Sequence, residues 1–401
     1  MDDAGQPARA LSQTVLREAT DTRLFTEVIG RGRTTRAELA AATGISKPTV
    51  SEAVRRLVAA GLLDATGLQE TGRRGRVGTF YELGTASGWV LAIEVDQAGV
   101  KAWSADLAGR VLERHEHPPG AAGDTAALTA ALRAVAEQAT AATGTGHGPL
   151  RAVAVSVANP VHPSTHEVIA LTDSPFPEGL LNPADVLAGV LPAPVLVDND
   201  VNLAALAEHR AGAAVGATSF GYVYVGAGLG LGLYLDDRLI RGAHGLAGEI
   251  GYLPGADPAS GPRTLAAELA AAGLGRSDAP STDVSAVLGL LDRAADPAAE
   301  SAAGDDENRR AVKILSSAVA RAIASVKAVI DPELVLLGGP VGSHPVLLEP
   351  VREALAAIAV APGPVIHGTL GVLAPLHGAM YLALDHARAA AISPLIALAP
   401  R

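Results

Sequence analysis

Apolar side chains recur at helical spacing through the N-terminal part of the chain. Between residues 11 and 29, Leu16, Leu24, Phe25, Val28 and Ile29 follow this spacing, and the run stops at Gly30-Arg31-Gly32. Thr35, with Glu38 three residues on, suits the start of a second helix over 36–43. Gly44 breaks it, and Ser46 caps a third helix, residues 46–60, with Pro48 in its first turn. Val50, Val54, Leu57 and Val58 share one face of that helix, leaving Lys47, Thr49, Ser51, Glu52 and Arg55 outside. Leu62-Leu63-Asp64 then opens a strand, and residues 79–83 return as a second. Helix, glycine turn, helix, and a two-stranded hairpin predict a winged helix-turn-helix over residues 1–84.

Beyond residue 84 the pattern changes to short apolar runs. Strands are predicted at 88–95 and 100–105, with Asp106-Leu107-Ala108-Gly109 turning into a third. A helix near 125–143, a buried strand at 153–157 and another at 195–197 follow. Residues 222–225, 229–235 and 334–337 repeat the scheme, the last ending in Gly338-Gly339. Three hairpin strands followed by alternating helix and strand form the ribonuclease-H-like pattern. Two such units predict an actin-like α/β body over residues 85–401, its lobes enclosing a cleft. The last helix, near 379–390, is expected to pack back on the first lobe.

Composition narrows the function classes. There is no cysteine among the 401 residues, which excludes disulfides and thiolate metal sites. No apolar run reaches about 18 residues, and Met1-Asp2-Asp3 opens on acid rather than an apolar leader, so no membrane role and a cytoplasmic location are expected. The net charge of −11 is uneven: residues 1–84 carry 12 Lys+Arg against 10 Asp+Glu, and the rest carry 19 against 32. A basic head on an acidic body suits a protein that meets a polyanion only through its head.

The stretch A-E-L-A-A-A-T-G-I-S-K-P-T-V-S-E-A-V-R-R-L-V-A-A-G-L-L resembles winged-helix repressors. Thr71-Gly72-Arg73-Arg74-Gly75-Arg76-Val77-Gly78 reads as the wing tip, three arginines between glycines. The candidate contacts to an operator in double-stranded DNA are Lys47, Thr49, Ser51, Arg55, Arg73, Arg74 and Arg76. The plainer alternative is a head kept for dimer contacts, its basic loop a solvated turn.

In the body, residues 226–251 read G-A-G-L-G-L-G-L-Y-L-D-D-R-L-I-R-G-A-H-G-L-A-G-E-I-G. Alternating glycines clear one strand face, so that an anion or another chain segment can approach the backbone. Asp236-Asp237 suits a hairpin turn. The stretch resembles the ROK family of repressors and sugar kinases, and the likeness extends from about Leu83 to the last helix. Family members bind sugar and ATP between two lobes. The resemblance assigns sugar contacts to Asn199 and Asp200 in D-N-D-V-N-L-A-A-L-A-E, and to Glu249 in A-G-E-I-G. Asn199 and Asp200 equally suit the cap of the following helix.

The kinase parts of that resemblance are eroded. Where family kinases read D-x-G-G-T around a phosphate, this chain has Glu94-Val95-Asp96-Gln97-Ala98. Two like charges 4 Å apart repel by about 1 kcal/mol in water and about 4 kcal/mol at an effective dielectric of 20. Ala227 replaces the threonine of the second phosphate turn, Tyr252 a histidine that contacts sugar and zinc, and Ala158-Asn159-Pro160-Val161-His162 the loop over the sugar. The zinc segment becomes Pro258-Ala259-Ser260-Gly261-Pro262-Arg263-Thr264-Leu265-Ala266, with Glu268 two residues past the family's glutamate position. The histidines lack metal-ligand spacing and read as surface residues, so no metal, no cofactor and no catalytic residue are expected. The expectation is a homodimeric or tetrameric repressor whose inactive kinase-like body senses a sugar or sugar phosphate. The alternatives are an active sugar kinase with a DNA-binding head, or a body that serves only as a scaffold.

Overall fold

The computed structural model describes residues 6–68, 78–96, 99–118, 124–171, 181–254, 267, 269–275, 281–295 and 305–393. The head comprises α1 (Gln6–Arg31), β1 (Arg33–Thr35), α2 (Arg36–Thr43), α3 (Lys47–Ala59), β2 (Leu63–Leu68) and β3 (Thr79–Leu83). Thr35 and Glu38 make the expected capping box on α2, and Gly44 closes it in the left-handed conformation at φ 70°. Ser46 caps α3, its hydroxyl accepting from the Thr49 N–H. The sheet order is β1-β3-β2, so the predicted hairpin gains a third strand at its edge. Arg33, Thr34 and Thr35 pair with Glu82, Tyr81 and Phe80, and the Arg33 guanidinium lies over the Phe80 ring.

The body has two five-stranded sheets of matching topology. The first is built from β4 (Trp89–Asp96), β5 (Gly99–Asp106), β6 (Val111–His117), β7 (Leu150–Val157) and β8 (Val195–Asn199), in the order β6-β5-β4-β7-β8. The second uses β9 (Phe220–Val225), β10 (Leu229–Leu235), β11 (Arg238–Ile240), β12 (Leu334–Gly338) and β13 (Val365–His367), in the order β11-β10-β9-β12-β13. In each, an antiparallel hairpin array adjoins a parallel pair, which is the repeat expected from the sequence. Asp236 and Asp237 turn the β10–β11 hairpin with φ of 50° and 58°, both left-handed. Helix α4 (Thr125–Thr143), capped by Asp124, covers the first sheet, followed by the short α5 (Pro183–Leu187). The second lobe carries α7 (Val284–Ala295), α8 (Asp305–Ile330), the one-turn α9 (Gly339–Gly342) and α10 (Pro345–Ile358).

Helices α6 (Asp200–Ala211) and α11 (Ala374–Ile392) lie at the centre of the molecule. Leu203, Leu206, Leu376 and Leu384 belong to one apolar core that continues into the head through Leu24, Phe25, Val54 and Leu57. The final helix thus packs on the first lobe, and its end also reaches the head, where Ser393 donates to Glu18 at 2.8 Å. The two helices pack closely because Gly378 lacks a side chain: a Cβ there would sit 1.9 Å from the Leu203 carbonyl oxygen. Gly378→Ala is expected to destabilise the protein by about 1–3 kcal/mol through this overpacking, read from the urea unfolding midpoint.

Candidate functional site

On the head, the capped start of α3 presents Lys47 and Thr49 fully to solvent, with Ser51 half-buried and Arg55 exposed one turn on. Thr49 is held by the Ser46 hydroxyl at 2.7 Å. Arg55 donates to Glu52 at 2.6 and 3.2 Å, and this bond holds the Glu52 carboxyl below its ordinary range. Arg55 is thus already engaged by a carboxylate on its own helix. Arg56 turns inward to the buried Asp21 at 2.6 and 3.0 Å and ties α3 to α1. Arg73, Arg74 and Arg76 lie outside the described residues.

Between the lobes, β8 runs directly into α6. Asn199 caps the helix, its Oδ1 accepting from the N–H groups of Val201 and Asn202 at 3.0 and 3.1 Å. Its Nδ2 donates to the Asn159 carbonyl and to Asp200 Oδ1 at 3.3 and 3.1 Å. The capping alternative thus holds for Asn199, whose amide is already committed within the protein. Asp200 Oδ1 also accepts from Val201 N–H at 2.8 Å. Asp198 accepts from Asn199 N–H at 2.9 Å and receives Nε and Nη2 of Arg241 at 2.9 and 2.5 Å, joining the lobes beside the site.

Left-handed glycines position the segment that carries Glu249. A Cβ on Gly248 (φ 95°) would lie 1.9 Å from the Leu231 carbonyl, and one on Gly245 (φ 75°) would lie 2.1 Å from that of Val161. The segment is drawn onto β10 on one side and against the 160–162 loop of the other lobe on the other. Glu249 ends up half-buried, and burial pushes its carboxyl up to about 7. Burial, with Glu249 and Asp96 nearby, likewise raises Asp200 to about 7. Glu94, at the end of β4, is 4% exposed, and burial raises it to about 8; Lys101 opposes the shift while Asp96 and Asp200 add to it. Lys101 Nζ lies 2.9 Å from Asp96 and 3.8 Å from Glu94. The structure therefore brings Asp200 and Glu249 together with the two acids, Glu94 and Asp96, of the altered phosphate turn. Gln97 and Ala98 of that turn, the 258–266 segment and Glu268 lie outside the described residues.

One feature was missed from the sequence, and one open alternative is decided by the fold. Tyr224, read there only as part of an apolar strand, lays its ring against the turns that follow β9 and β12. A Cβ on Gly226 would come within 2.5 Å of the Tyr224 hydroxyl, and one on Gly339 within 2.7 Å of its ring. Burial raises the Tyr224 hydroxyl pKa, with Asp200, Tyr222, Asp96 and Glu94 adding to it, which places the phenol beside the carboxyl group. Alternation along the strand was the available signal, because residues 220, 222 and 224 share a face. The alternating glycines of β10 also have a packing role: a Cβ on Gly230 would meet Val201 at 2.9 Å, and one on Gly232 would meet the Val201 carbonyl at 2.6 Å. They admit α6 rather than a phosphate.

The reading of all histidines as surface residues needs correction. His377 is half-buried edge-on against Trp103, and His209 stacks on Tyr234 at 4.2 Å. His162 and His244 face each other between the lobes at 6.4 Å. Among the described residues no group of three or more side chains is arranged to hold a metal.

A carboxyl whose pKa is raised on folding takes up protons as the chain folds, so it favours the folded state at acid pH and loses that contribution as pH rises through the folded value. For Glu94, Asp200 and Glu249 the window runs from their ordinary values near 4 up to about 7 or 8. The melting temperature of the ligand-free protein is expected to fall as pH rises from 5 to 8, and Glu94→Gln is expected to flatten that slope, both measured by scanning fluorimetry.

A ROK family model matches residues 90–386, and a MarR family model matches residues 9–74. The bifunctional enzyme NanE/NanK of Brucella melitensis is 32% identical over 218 residues, covering 52% of this chain; the chain spans only 40% of that enzyme's length. The N-acetylmannosamine kinase of Salmonella typhi is 31% identical over 278 residues, 66% of this chain and 87% of the kinase. Among solved structures, a ROK family transcriptional regulator homologous to the E. coli MLC protein superposes with a TM-score of 0.68 at 18% identity, covering 95% of this chain and 99% of the regulator. Its likeness supports the same whole-chain fold, head included. No helix among the described residues is long and apolar enough to cross a membrane. With the family model spanning most of the chain and the two-lobed body it implies, this protein is a member of the ROK family, preceded by a MarR-type winged helix.

Proposed function

We propose that the protein is a DNA-binding transcriptional repressor whose kinase-like body senses a small ligand and does not transfer phosphate. The observation that carries this reading is the filling of the phosphate side of the cleft. The Tyr224 ring occupies the space above Gly226 and Gly339, and Glu94 and Asp96 add carboxyl groups beside it. A nucleotide triphosphate would meet bulk and like charge where phosphoryl transfer needs close donors and cations. The ligand side keeps Asp200 and Glu249, with Asn199 holding the helix start that presents Asp200.

The coupling route is short. Asp64 of β2 accepts from Thr85 N–H and Oγ at 2.8 and 3.0 Å, and Arg151 of β7 donates to the Ser87 carbonyl at 2.5 Å. The connector between head and body is thus pinned at both ends, and the α1–α11 contact adds a second bridge. Closure of the lobes over a ligand would then rotate the head as one piece with the first lobe. In a homodimer or tetramer this changes the spacing of two heads, which must match half-sites about one helical turn apart. DNA contacts are assigned to Lys47, Thr49, Ser51 and Arg55 in the groove, with Arg73, Arg74 and Arg76 on the backbone or minor groove.

A second reading, an active sugar kinase with a DNA-binding head, is favoured by the 31% identity to an N-acetylmannosamine kinase. Coupled ADP-release with a hexose panel separates the two: no turnover above the protein-free rate is expected, and sustained turnover with any sugar would exclude the repressor-only reading. On DNA, Arg74→Ala and Arg76→Ala are each expected to weaken binding without changing sequence preference, and to lower the salt slope by about one. Titrations at two salt concentrations check this, and unchanged affinity in both variants would remove the wing from the interface.

A further inference from the structure

We propose that the ligand of the inter-lobe cleft carries a basic amine on a hydroxylated frame, a 2-amino-2-deoxyhexose or close analogue, and that Glu94 receives the amine. This rests on the cleft being a ligand site, as argued above, and concerns which chemical class it takes. Four carboxyl groups, on Glu94, Asp96, Asp200 and Glu249, act on one another there, and Lys101 is the cation that the described residues set against them. Lys101 already donates to Asp96 at 2.9 Å, while its distance to Glu94 Oε2, 3.8 Å, is too long for a hydrogen bond. Glu94 Oε2 is buried and has no hydrogen-bond partner among the described residues.

A buried carboxyl oxygen without a donor costs free energy that a ligand can recover. The three candidate classes differ in how they do this. A phosphosugar adds negative charge to a group that already has an excess of acid, and it would have to settle beside Glu94 and Asp96. A neutral sugar supplies hydroxyl donors but no positive charge that would favour an ionised Glu94. An ammonium supplies up to three donors together with a positive charge. Asp200 and Glu249 then remain for vicinal hydroxyls. The altered phosphate turn, in this view, has become part of the recognition surface.

The test uses the full-length protein near neutral pH, with scanning fluorimetry and calorimetry. Glucosamine, mannosamine and galactosamine are each compared with the parent hexose, the N-acetyl derivative and the 6-phosphate, with magnesium chloride alone as a further arm. At least one amine is expected to bind about tenfold tighter than its parent hexose, the difference between a charge-assisted and a neutral hydrogen bond. Glu94→Gln is expected to bring the amine-to-hexose affinity ratio close to one. Lys101→Met, which removes the competing cation, is expected to widen it, and supplies an independent reading if the first variant folds poorly. An N-acetyl sugar or a 6-phosphate binding as tightly as the amine would overturn the proposal and leave the cleft as a ligand site. Stabilisation by magnesium with no preference for amines would overturn it too. Absence of binding by every sugar would overturn both this proposal and the sensing role of the body.

Discussion

The relation between the two lobes depends on one buried acid. Asp198 sits at the end of β8 at 3% exposure, with one oxygen on the Asn199 N–H and the other on the guanidinium of Arg241. A carboxylate so far from water is stable only while it is paired. Its partner belongs to the second lobe, just past β11, so the pairing fixes where the second lobe meets the first. Asn199 and Asp200 follow immediately, and the segment bearing Glu249 starts at the same Arg241. The ion pair therefore sets the distance between the two halves of the candidate site before any ligand arrives.

Glu208 plays the corresponding part at the other end of α6. It is fully buried and accepts from Ala213 N–H, Leu370 N–H and Thr369 Oγ at 2.7, 2.9 and 3.3 Å. The helix is thus anchored at its start to the segment just past β11 through Asp198 and Arg241, and at its end to the strand-to-helix link before α11. Because α6 and α11 share a core with the head, a shift of one lobe about these anchors cannot be absorbed locally. The 84–88 connector and the α1–α11 contact are the links from this core to the winged helix that would carry it on the proposed reading.

Most of this architecture was legible in the sequence because its punctuation is local. Thr35 with Glu38, Ser46 with Pro48, and Asp236-Asp237 each act within a few residues, and each took the conformation its chemistry favours. Strand β1 was not legible, since three residues with no apolar side chain become a strand only by pairing with residues 80–82. The alternating glycines of β10 were visible, but two different neighbours demand the same absence of side chains, and only the fold showed that the neighbour at Gly230 and Gly232 is α6. The acids at 94 and 96 could be read as hostile to phosphate. Their gathering with Asp200 and Glu249 depends on three separate strand ends meeting, which no spacing in one chain encodes.

Tyr224 bears on function for a related reason. Ala227 already marked the second phosphate turn as weakened, while the glycines at 226 and 339 still left space beside the backbone. The ring fills the space that both glycines leave, so the same residues that permit an anion in a kinase-like cleft here permit an aromatic side chain. Under the proposed function, restoring nucleotide access would require removing the ring and neutralising Glu94 and Asp96 together, because the ring acts by volume and the acids by charge. On that reading volume and charge act at one place, so no single substitution would restore a nucleotide site. On the proposed reading, a cleft closed to nucleotides still couples ligand binding to lobe position, and that coupling is what a DNA-binding head requires of its body.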